Sequence, residues 1–558
     1  MDQNVLASSA SPEQLFAGGL AAHGSGNYAE AAACFTGVLE VLPGFPAALA
    51  NRALALWSLG ALDAAERDAS AACAAMPNLA EGWMVAGAVR IDRGDPAGAV
   101  TAYAEAVRLR PGFAPAQAGL AAAHLAAGAN AEAARCAALA LALDPGCDHA
   151  RFTLGSALSA LGKPGPAIDL FNLVLAAQPG HAGALLNRGN ALIGLDRIDE
   201  GEADLRAALE INPDLREALA SLAVLRTIRG DTAEAIALCD RAIALDPDFA
   251  VAQWNRGVAA LLSGDFATGF EAYEWRKRHP IYGPHFDRLP APVWRGESLA
   301  GRHLLVRAEQ GLGDTIMFAR FLPALAAQAR RVTLACHAPL FPLFAHLGIG
   351  LCRLDDPAPA DVDCAIDQMS LPHVLRLTPS AIPASGGYLA APEAEIARFA
   401  DLAPRRGERV FGLVWAGNPG HNNDRRRSLP PGALTRLFDL PGVRFVALQL
   451  GARCADYEID SLASRITDFG ATAGILHHLD GLVTVDTSIA HLAGAMGKPC
   501  HVLLSASCDW RWLLGRTDTP WYDSITLHRQ EHLGDWSGPV RSVFAALSRM
   551  GEAPLATG

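Results

Sequence analysis

The sequence predicts a helical repeat array over its first half and a parallel α/β fold over its second. Three observations predict it. Prolines recur at one fixed interval of 34 residues, at positions 43, 77, 111, 145, 179, 213 and 247. That periodicity fails from His279, where Pro280, Pro284, Pro290 and Pro292 cluster. From His303 onward, short apolar runs alternate with amphipathic stretches, the pattern of a parallel sheet covered by helices.

Composition bounds the function. The chain has 558 residues, 51% apolar and 19% charged, with a formal net charge of -12. That apolar content supports large packed cores. The acidic balance argues against a nucleic-acid partner, which would call for a basic face. Eleven cysteines occur without a C-x-x-C pair, so reduced thiols and a cytoplasmic location are expected. No zinc-type spacing is present, and no metal site is expected. The opening MDQNVLASSASPEQ has no basic start and no apolar run, so no signal peptide is expected, and no stretch reads as a membrane span.

Two further registers share the 34-residue interval. One runs Gly19, Ala53, Gly87, Ala121, Gly155, Gly189, Ala223, Gly257, and the other Ala31, Ala65, Ala99, Ala133, Ala167, Gly201, Ala235, Gly269. Small residues belong where the two helices of a hairpin touch. Between the registers lie Gly26, Gly60, Gly94, Gly128, Gly162, Gly230 and Gly264, with Asp196 replacing glycine once. These mark the end of each first helix (helix A), where a left-handed backbone is needed. The proline stops each second helix (helix B). The period and pattern resemble the tetratricopeptide repeat (TPR). Eight helix pairs are expected from about Pro12 to Arg278, giving a TPR superhelix over 1–278.

TPR solenoids usually grip extended peptide along helix A. Asn51, Asn187 and Asn255 stand two positions before the small residue of helix A, each followed by arginine. An inward asparagine can bond a passing peptide backbone through both its C=O and its NH₂. It can equally pack between helices. The spacing is similar to the asparagine ladder of O-linked N-acetylglucosamine transferase, though Ala17, Val85, Gly119, Thr153 and Ser221 fill other rungs.

Residues 279–302 read as a connector whose aromatics pack down. Strands are expected at His303–Val306, Val332–Cys336 and Cys364–Asp367, with a helix from near Asp314 to about Gln328. Further strands are expected at Val410–Trp415, Val443–Leu450, Leu482–Asp486 and His501–Leu504. This gives two Rossmann-like units, 303–395 and 396–545, with a cleft between them and a tail over 546–558.

Three loops at strand ends carry the candidate chemistry. Glu309–Thr315 contains Gly311, Gly313 and Asp314, with the carboxylate at a helix start where its charge is favoured; the same Asp would serve as an N-cap. Ala416–Ser428 holds Asn418 and three arginines, of which Arg425 and Arg427 are candidates to clamp a phosphate. A charge run of this kind is also a common solvated surface. Val485–Gly494 passes directly from strand to helix, so Asp486, Thr487 and Ser488 lie at a positive helix end, a ready anion site. His491 lies one turn further, either toward that site or packed in the core.

Gly313-Asp314 with Pro323, then Arg427-Ser428-Leu429-Pro430, then Asp486-Thr487-Ser488-Ile489-Ala490-His491 resemble motifs of the heptosyltransferase group (glycosyltransferase family 9). The resemblance spans roughly 303–545; arginine stands at Arg427 where that family usually has lysine. It implies a GT-B fold and a metal-independent, inverting transfer with no cofactor beyond a nucleotide-sugar co-substrate. It makes Asp314 the candidate general base and Gly311, Gly313, Asn418, Arg425, Arg427, Asp486, Thr487, Ser488 and His491 the donor side. The fusion of TPR repeats to the Arg307–Asp314 and Trp415–Pro419 segments and to Asp509–Leu513 resembles bacterial TPR-linked glycosyltransferases that modify flagellin. That resemblance implies flagellin or another protein acceptor on the TPR groove, through Asn51, Asn187 and Asn255. The donor it implies is a nonulosonic acid such as pseudaminic acid, CMP-linked. The alternatives are a non-catalytic scaffold or chaperone with a degenerate transferase half, and a transferase acting on cell-surface glycan.

Overall fold

The computed structural model describes residues 11–552, apart from 287, 384–385 and 421–422. The first ten residues, the end of the expected tail and two positions of the arginine loop therefore lie outside the described residues. The chain divides into two compact units, one ending at Ser221 and the other beginning at Leu222.

Among the described residues, sixteen helices form the repeat region, from Pro12–Gly24 and Tyr28–Val41 to Ala250–Ser263 and Phe266–Tyr273. The expected eight pairs are present, and the registers acquire physical causes. A Cβ placed on Gly19 would lie 2.7 Å from the ring of Phe35, on Gly87 2.6 Å from Tyr103, and on Gly155 2.8 Å from Phe171. Each ring comes from helix B, sixteen residues on, and fills the space the missing side chain leaves. The turn glycines all have positive φ, from 72° at Gly162 to 92° at Gly264, and Asp196 adopts the same conformation at 61°.

The repeats are also cross-linked by charge. Arg52 Nε and Nη2 donate to Asp68 at 2.6 and 2.8 Å, and Arg188 repeats the geometry on Asp204 at 2.7 Å for both bonds. These bidentate pairs span the same sixteen-residue step as the ring contacts.

Among the described residues of the second unit, ten strands form two sheets. The first contains β1 (His303–Arg307), β2 (Arg331–Cys336), β3 (Gly350–Arg353) and β4 (Cys364–Asp367) in the order β3-β2-β1-β4. The second contains β5 (Arg409–Val414), β6 (Val443–Ala447), β7 (Asp460–Ser461), β8 (Gly481–Val485), β9 (Cys500–Leu504) and β10 (Ile525–Arg529) in the order β10-β9-β8-β5-β6-β7. All pairings are parallel. Counted within its own sheet, the second order is 3-2-1-4-5-6, the doubly wound arrangement whose strand order reverses between β5 and β8. Ligands of such sheets bind at the carboxyl ends of the strands flanking that reversal.

Several elements differ from expectation. The helix beginning near Asp314 is Leu312–Phe318, followed by a 3-10 turn at Ala319–Phe321 and a short helix Leu322–Ala326. Pro323, which has no N–H to continue the ladder, stands at the start of the short helix, and buried Arg320 donates to the Met317 and Trp521 carbonyls at 2.8 Å. Strands β3, β7 and β10 had no expected counterpart; β3 and β7 are short, and β10 alternates Thr526 and His528 with apolar residues. The connector packs down as expected: the Trp294 backbone N–H donates to the Ala365 carbonyl at 2.9 Å, beside a bridge between Val293 and Ala365.

The last helix pair belongs physically to the α/β region. One contiguous core contains Leu261, Phe266 and Phe270 together with Val306 and Ile366 of the first sheet and Leu482 and Val502 of the second. Phe266 stacks on Trp521 at 5.5 Å, and Phe270 meets the edge of Trp510 at 5.7 Å. The compact division at Ser221 likewise falls well before the repeats end.

Candidate functional site

The loops singled out in sequence follow β1, β5 and β8, so two of them flank the reversal point of the second sheet. They converge. A Cβ on Gly313 would lie 2.9 Å from His491 Cδ2 and 3.2 Å from Ser488 Cα. Gly313 therefore lets the start of Leu312–Phe318 rest on the start of helix Ser488–Ala495. Its service here is close packing between the helix that follows β1 and the helix that follows β8. Gly311 is the N-cap of the first of these helices, and its N–H donates to Asp314 Oδ2 at 2.9 Å.

Asp314, the expected general base, has both oxygens engaged. Oδ1 lies 2.6 Å from Arg511 Nη2. Burial raises its pKa, while Arg511 and the Gly311 N–H act in the opposite direction. Arg511 also donates through Nη1 to Asp509 at 2.7 Å, and its guanidinium sits 4.3 Å over the Trp510 ring. Arg511 thus joins two carboxylates from different loops.

Asp486 follows β8. Burial and the charge of Asp509 push its carboxyl up to about 6, against the pull of Arg427 and Arg511. Thr487 is the N-cap of Ser488–Ala495, where no side chain satisfies the first-turn N–H groups, and its hydroxyl meets that of Thr484 at 3.1 Å. The start of this helix is therefore left without a side-chain cap among the described residues. His491 is buried, stacked on Trp512 at 5.2 Å, with Nδ1 3.1 Å from the Tyr522 hydroxyl. Burial and nearby Arg511 lower its pKa to about 3, so it is neutral at neutral pH and packs the interface.

After β5, the Gly417 N–H donates to Ser428 Oγ at 3.0 Å. A Cβ on Gly417 would lie 2.6 Å from Arg427 Nη2, so glycine here lets that guanidinium fold over the strand end. Arg427 also bonds Asp424 at 3.2 Å. Arg425 and Asn418 are exposed, and Asn418 Oδ1 closes its own turn by accepting from the Gly420 N–H at 2.9 Å.

A second charge network closes the carboxyl ends of β1 and β4. Arg276 donates to both oxygens of Glu309 at 2.7 and 2.9 Å, Lys277 lies 2.9 Å from Glu274 and 3.3 Å from Asp367, and Arg307 lies 2.7 Å from Asp367. Burial opposes ionisation of Glu274, yet Arg276 and Lys277 pull its pKa down to about 2. The turn after the last repeat is thereby fastened to the loop that carries Asp314. A cavity of about 650 Å³ lies alongside, lined by Phe270, Trp294, Arg295 and Arg376; residues of the Asp314, Arg427 and Asp486 loops do not line it.

The asparagines make internal contacts. Asn51 Nδ2 donates to the Ala47 carbonyl at 2.8 Å, Asn187 Nδ2 to Ser156 Oγ at 3.0 Å, and Asn255 is buried. The arginines that follow them serve the ion pairs within the repeats.

Sequence reasoning gave no roles to Asp509, Arg511, Trp512 and Tyr522. The signal was present in Asp509-Trp510-Arg511-Trp512-Leu513, where a lone arginine stands between two tryptophans. Its partner Asp314 stands far away in sequence, and only the fold brings the two together.

Comparison with known proteins agrees with the repeat region. The tetratricopeptide-repeat family model matches residues 16–80, 152–216, 186–248 and 229–275. The chain carries TPR repeats. It is similar to Protein FlbA of Caulobacter vibrioides, with 29% identity over 378 residues, 61% of this chain and 62% of that protein. The chain therefore spans less than two thirds of that relative's length. The matched share exceeds what the repeats alone supply, so the similarity continues past them. Among solved structures, a thermophilic TPR protein of Thermus thermophilus is 21% identical and covers 33% of this chain and all of its own, with a TM-score of 0.29. MamA is 25% identical, covering 28% of this chain and 92% of its own, with a TM-score of 0.26. Among the described residues, no helix is long and apolar enough to cross a membrane.

Proposed function

We propose that the chain is a protein O-glycosyltransferase. It transfers a sugar from a nucleotide-sugar donor to Ser or Thr of a protein acceptor held by the TPR repeats, with flagellin as acceptor and a CMP-linked nonulosonic acid such as pseudaminic acid as donor. The observation that carries this reading is the meeting of three strand-end loops beside the reversal point of a doubly wound sheet. There the uncapped start of Ser488–Ala495 and the Arg427 guanidinium offer positive charge to a phosphate.

In this reading the donor phosphate lies against Thr487, Ser488 and Arg427, with Arg425 at the exposed rim. Those groups stabilise the negative charge that grows on the phosphate as the sugar departs. Below about pH 6, where Asp486 is protonated, a repulsive charge is removed from the same place. Attack by the acceptor hydroxyl from the opposite side inverts the anomeric centre. Asp314 holds Arg511, and Arg511 holds Asp509. The similarity to FlbA, continuing beyond the repeats, supports treating repeats and α/β region as one working protein.

The test is a thermal-shift panel of CMP-pseudaminic acid, UDP-N-acetylglucosamine and ADP-heptose on the full chain. At least one is expected to raise Tm, with the shift lost in Ser488→Trp, whose bulk fills the helix start. A chain that none of the three stabilises contradicts the reading and favours the non-catalytic scaffold.

A further inference from the structure

A pocket of about 230 Å³ lies where the last helix A elements meet the loops after β5 and β9. Its apolar lining is Ile228, from helix Arg216–Ile228, with Val258 and Leu262 from Ala250–Ser263. Its polar lining includes Asn423, Arg426 and Asp509. Small-molecule sites typically occupy roughly 300–1,000 Å³. This volume is too small for a nucleotide sugar and suits one side chain.

Asp509 is the distinctive group here. Its side chain is 37% exposed, against 16% for Asp314. Oδ1 accepts from the Arg511 N–H at 2.9 Å and from Arg511 Nη1 at 2.7 Å, which fixes the carboxylate. Oδ2 makes no hydrogen bond among the described residues. Asn423 and Arg426 belong to the loop after β5, so the pocket adjoins the proposed phosphate site.

We propose that this pocket receives the Ser or Thr side chain of the acceptor protein and that Asp509 takes the proton from its hydroxyl. The inference rests on the glycosyltransferase reading and adds to it the acceptor site and the base. The step balances. A lone pair on the acceptor oxygen forms the bond to the anomeric carbon, the bond from that carbon to the donor phosphate oxygen breaks, and its electron pair leaves on the phosphate. The hydroxyl proton passes to Asp509. Asp314, with both oxygens already bonded, acts by holding Arg511 in place.

The experiment uses full-length variants in source cells lacking the wild-type chain, read by intact mass of flagellin. Asp509→Asn keeps an oxygen for the Arg511 N–H but cannot take the proton, and Val258→Trp fills the pocket from its apolar side. Each is expected to lower glycan occupancy at least about tenfold, consistent with the roughly 10²–10⁴-fold typically contributed by a general base. Each is also expected to keep wild-type soluble levels, and Val258→Trp, which leaves every charge in place, is expected to keep the wild-type nucleotide-sugar thermal shift. Wild-type occupancy in either variant overturns the proposal. So does loss of the nucleotide-sugar shift in both, which would make the pocket part of the donor site. Unmodified flagellin with the wild-type chain present would instead overturn the protein-glycosylation reading itself.

Discussion

Arg511 Nη2 lies 2.6 Å from Asp314 Oδ1, and this pair ties the loop after β1 to the segment after β9. The Arg511 side chain is 9% exposed, and its other terminal nitrogen is held by Asp509. Removing one partner of a buried pair leaves the other charge uncompensated. Arg511→Ala is expected to cost about 3–5 kcal/mol of stability, and Arg511→Lys to recover only part of it because an ammonium cannot reproduce the fork. Denaturant unfolding of the purified variants measures both. A loss below about 1 kcal/mol for Arg511→Ala would show that the pair contributes little.

In the proposed donor site, binding should depend on pH through Asp486. Its carboxyl, pushed up to about 6 by burial and by Asp509, is neutral below that value and charged above it. A phosphate beside it binds more tightly when Asp486 is protonated. Affinity for the stabilising nucleotide sugar should therefore fall as pH rises from about 5 to about 7.5, and Asp486→Asn should flatten the profile. For the protein without donor the sign follows from linkage: a raised carboxyl contributes stability at low pH that is lost as pH rises toward about 6.

Glycine inside the repeat helices has a sign that propensity alone would miss. Alanine for glycine inside a helix ordinarily stabilises by roughly 0.5–1 kcal/mol. A Cβ on Gly119 would come within 2.2 Å of the Tyr103 ring, which already rests against Gly87. Gly119→Ala is expected to destabilise by about 1–3 kcal/mol. Gly165, in helix Pro164–Ala177, has open space around the same position, and Gly165→Ala should stabilise. Urea midpoints of the two variants should move in opposite directions.

His501 and His528 form a buried pair, Nδ1 to Nε2 at 2.9 Å, with His528 Nδ1 2.8 Å from Ser542 Oγ. Burial lowers both pKa values to about 4. Both rings are neutral when folded and protonate more readily when unfolded. The pair's contribution is present above about pH 6.5 and is lost as pH falls toward about 4. Tm should drop across that window, less steeply in the His501→Gln, His528→Gln double variant.

The repeat region was legible almost residue by residue because its constraints are local and recur. A turn residue needing positive φ, a small residue beneath a ring sixteen positions on, and a proline after helix B leave the same mark along the array. Even Asp196 occupies the conformation its register required. The strand-end loops were legible because glycine, hydroxyl and carboxylate residues collect where a strand passes into a helix. The partnerships were not. Asp314 looked like a base because its loop has the right form, but Arg511 reaches it from a distant segment. Asn51 and Asn187 looked like peptide contacts, while their amides bond Ala47 and Ser156. The merging of the last helix pair into the α/β core was equally invisible, because Phe266 and Phe270 continue the repeat pattern while packing on Trp521 and Trp510.

The most direct test of the account is the intact mass of flagellin from source cells with and without this chain. A mass increase in whole multiples of one glycosyl residue is expected, one that disappears when the chain is removed and returns when it is restored. An identical flagellin mass in both cells would contradict it.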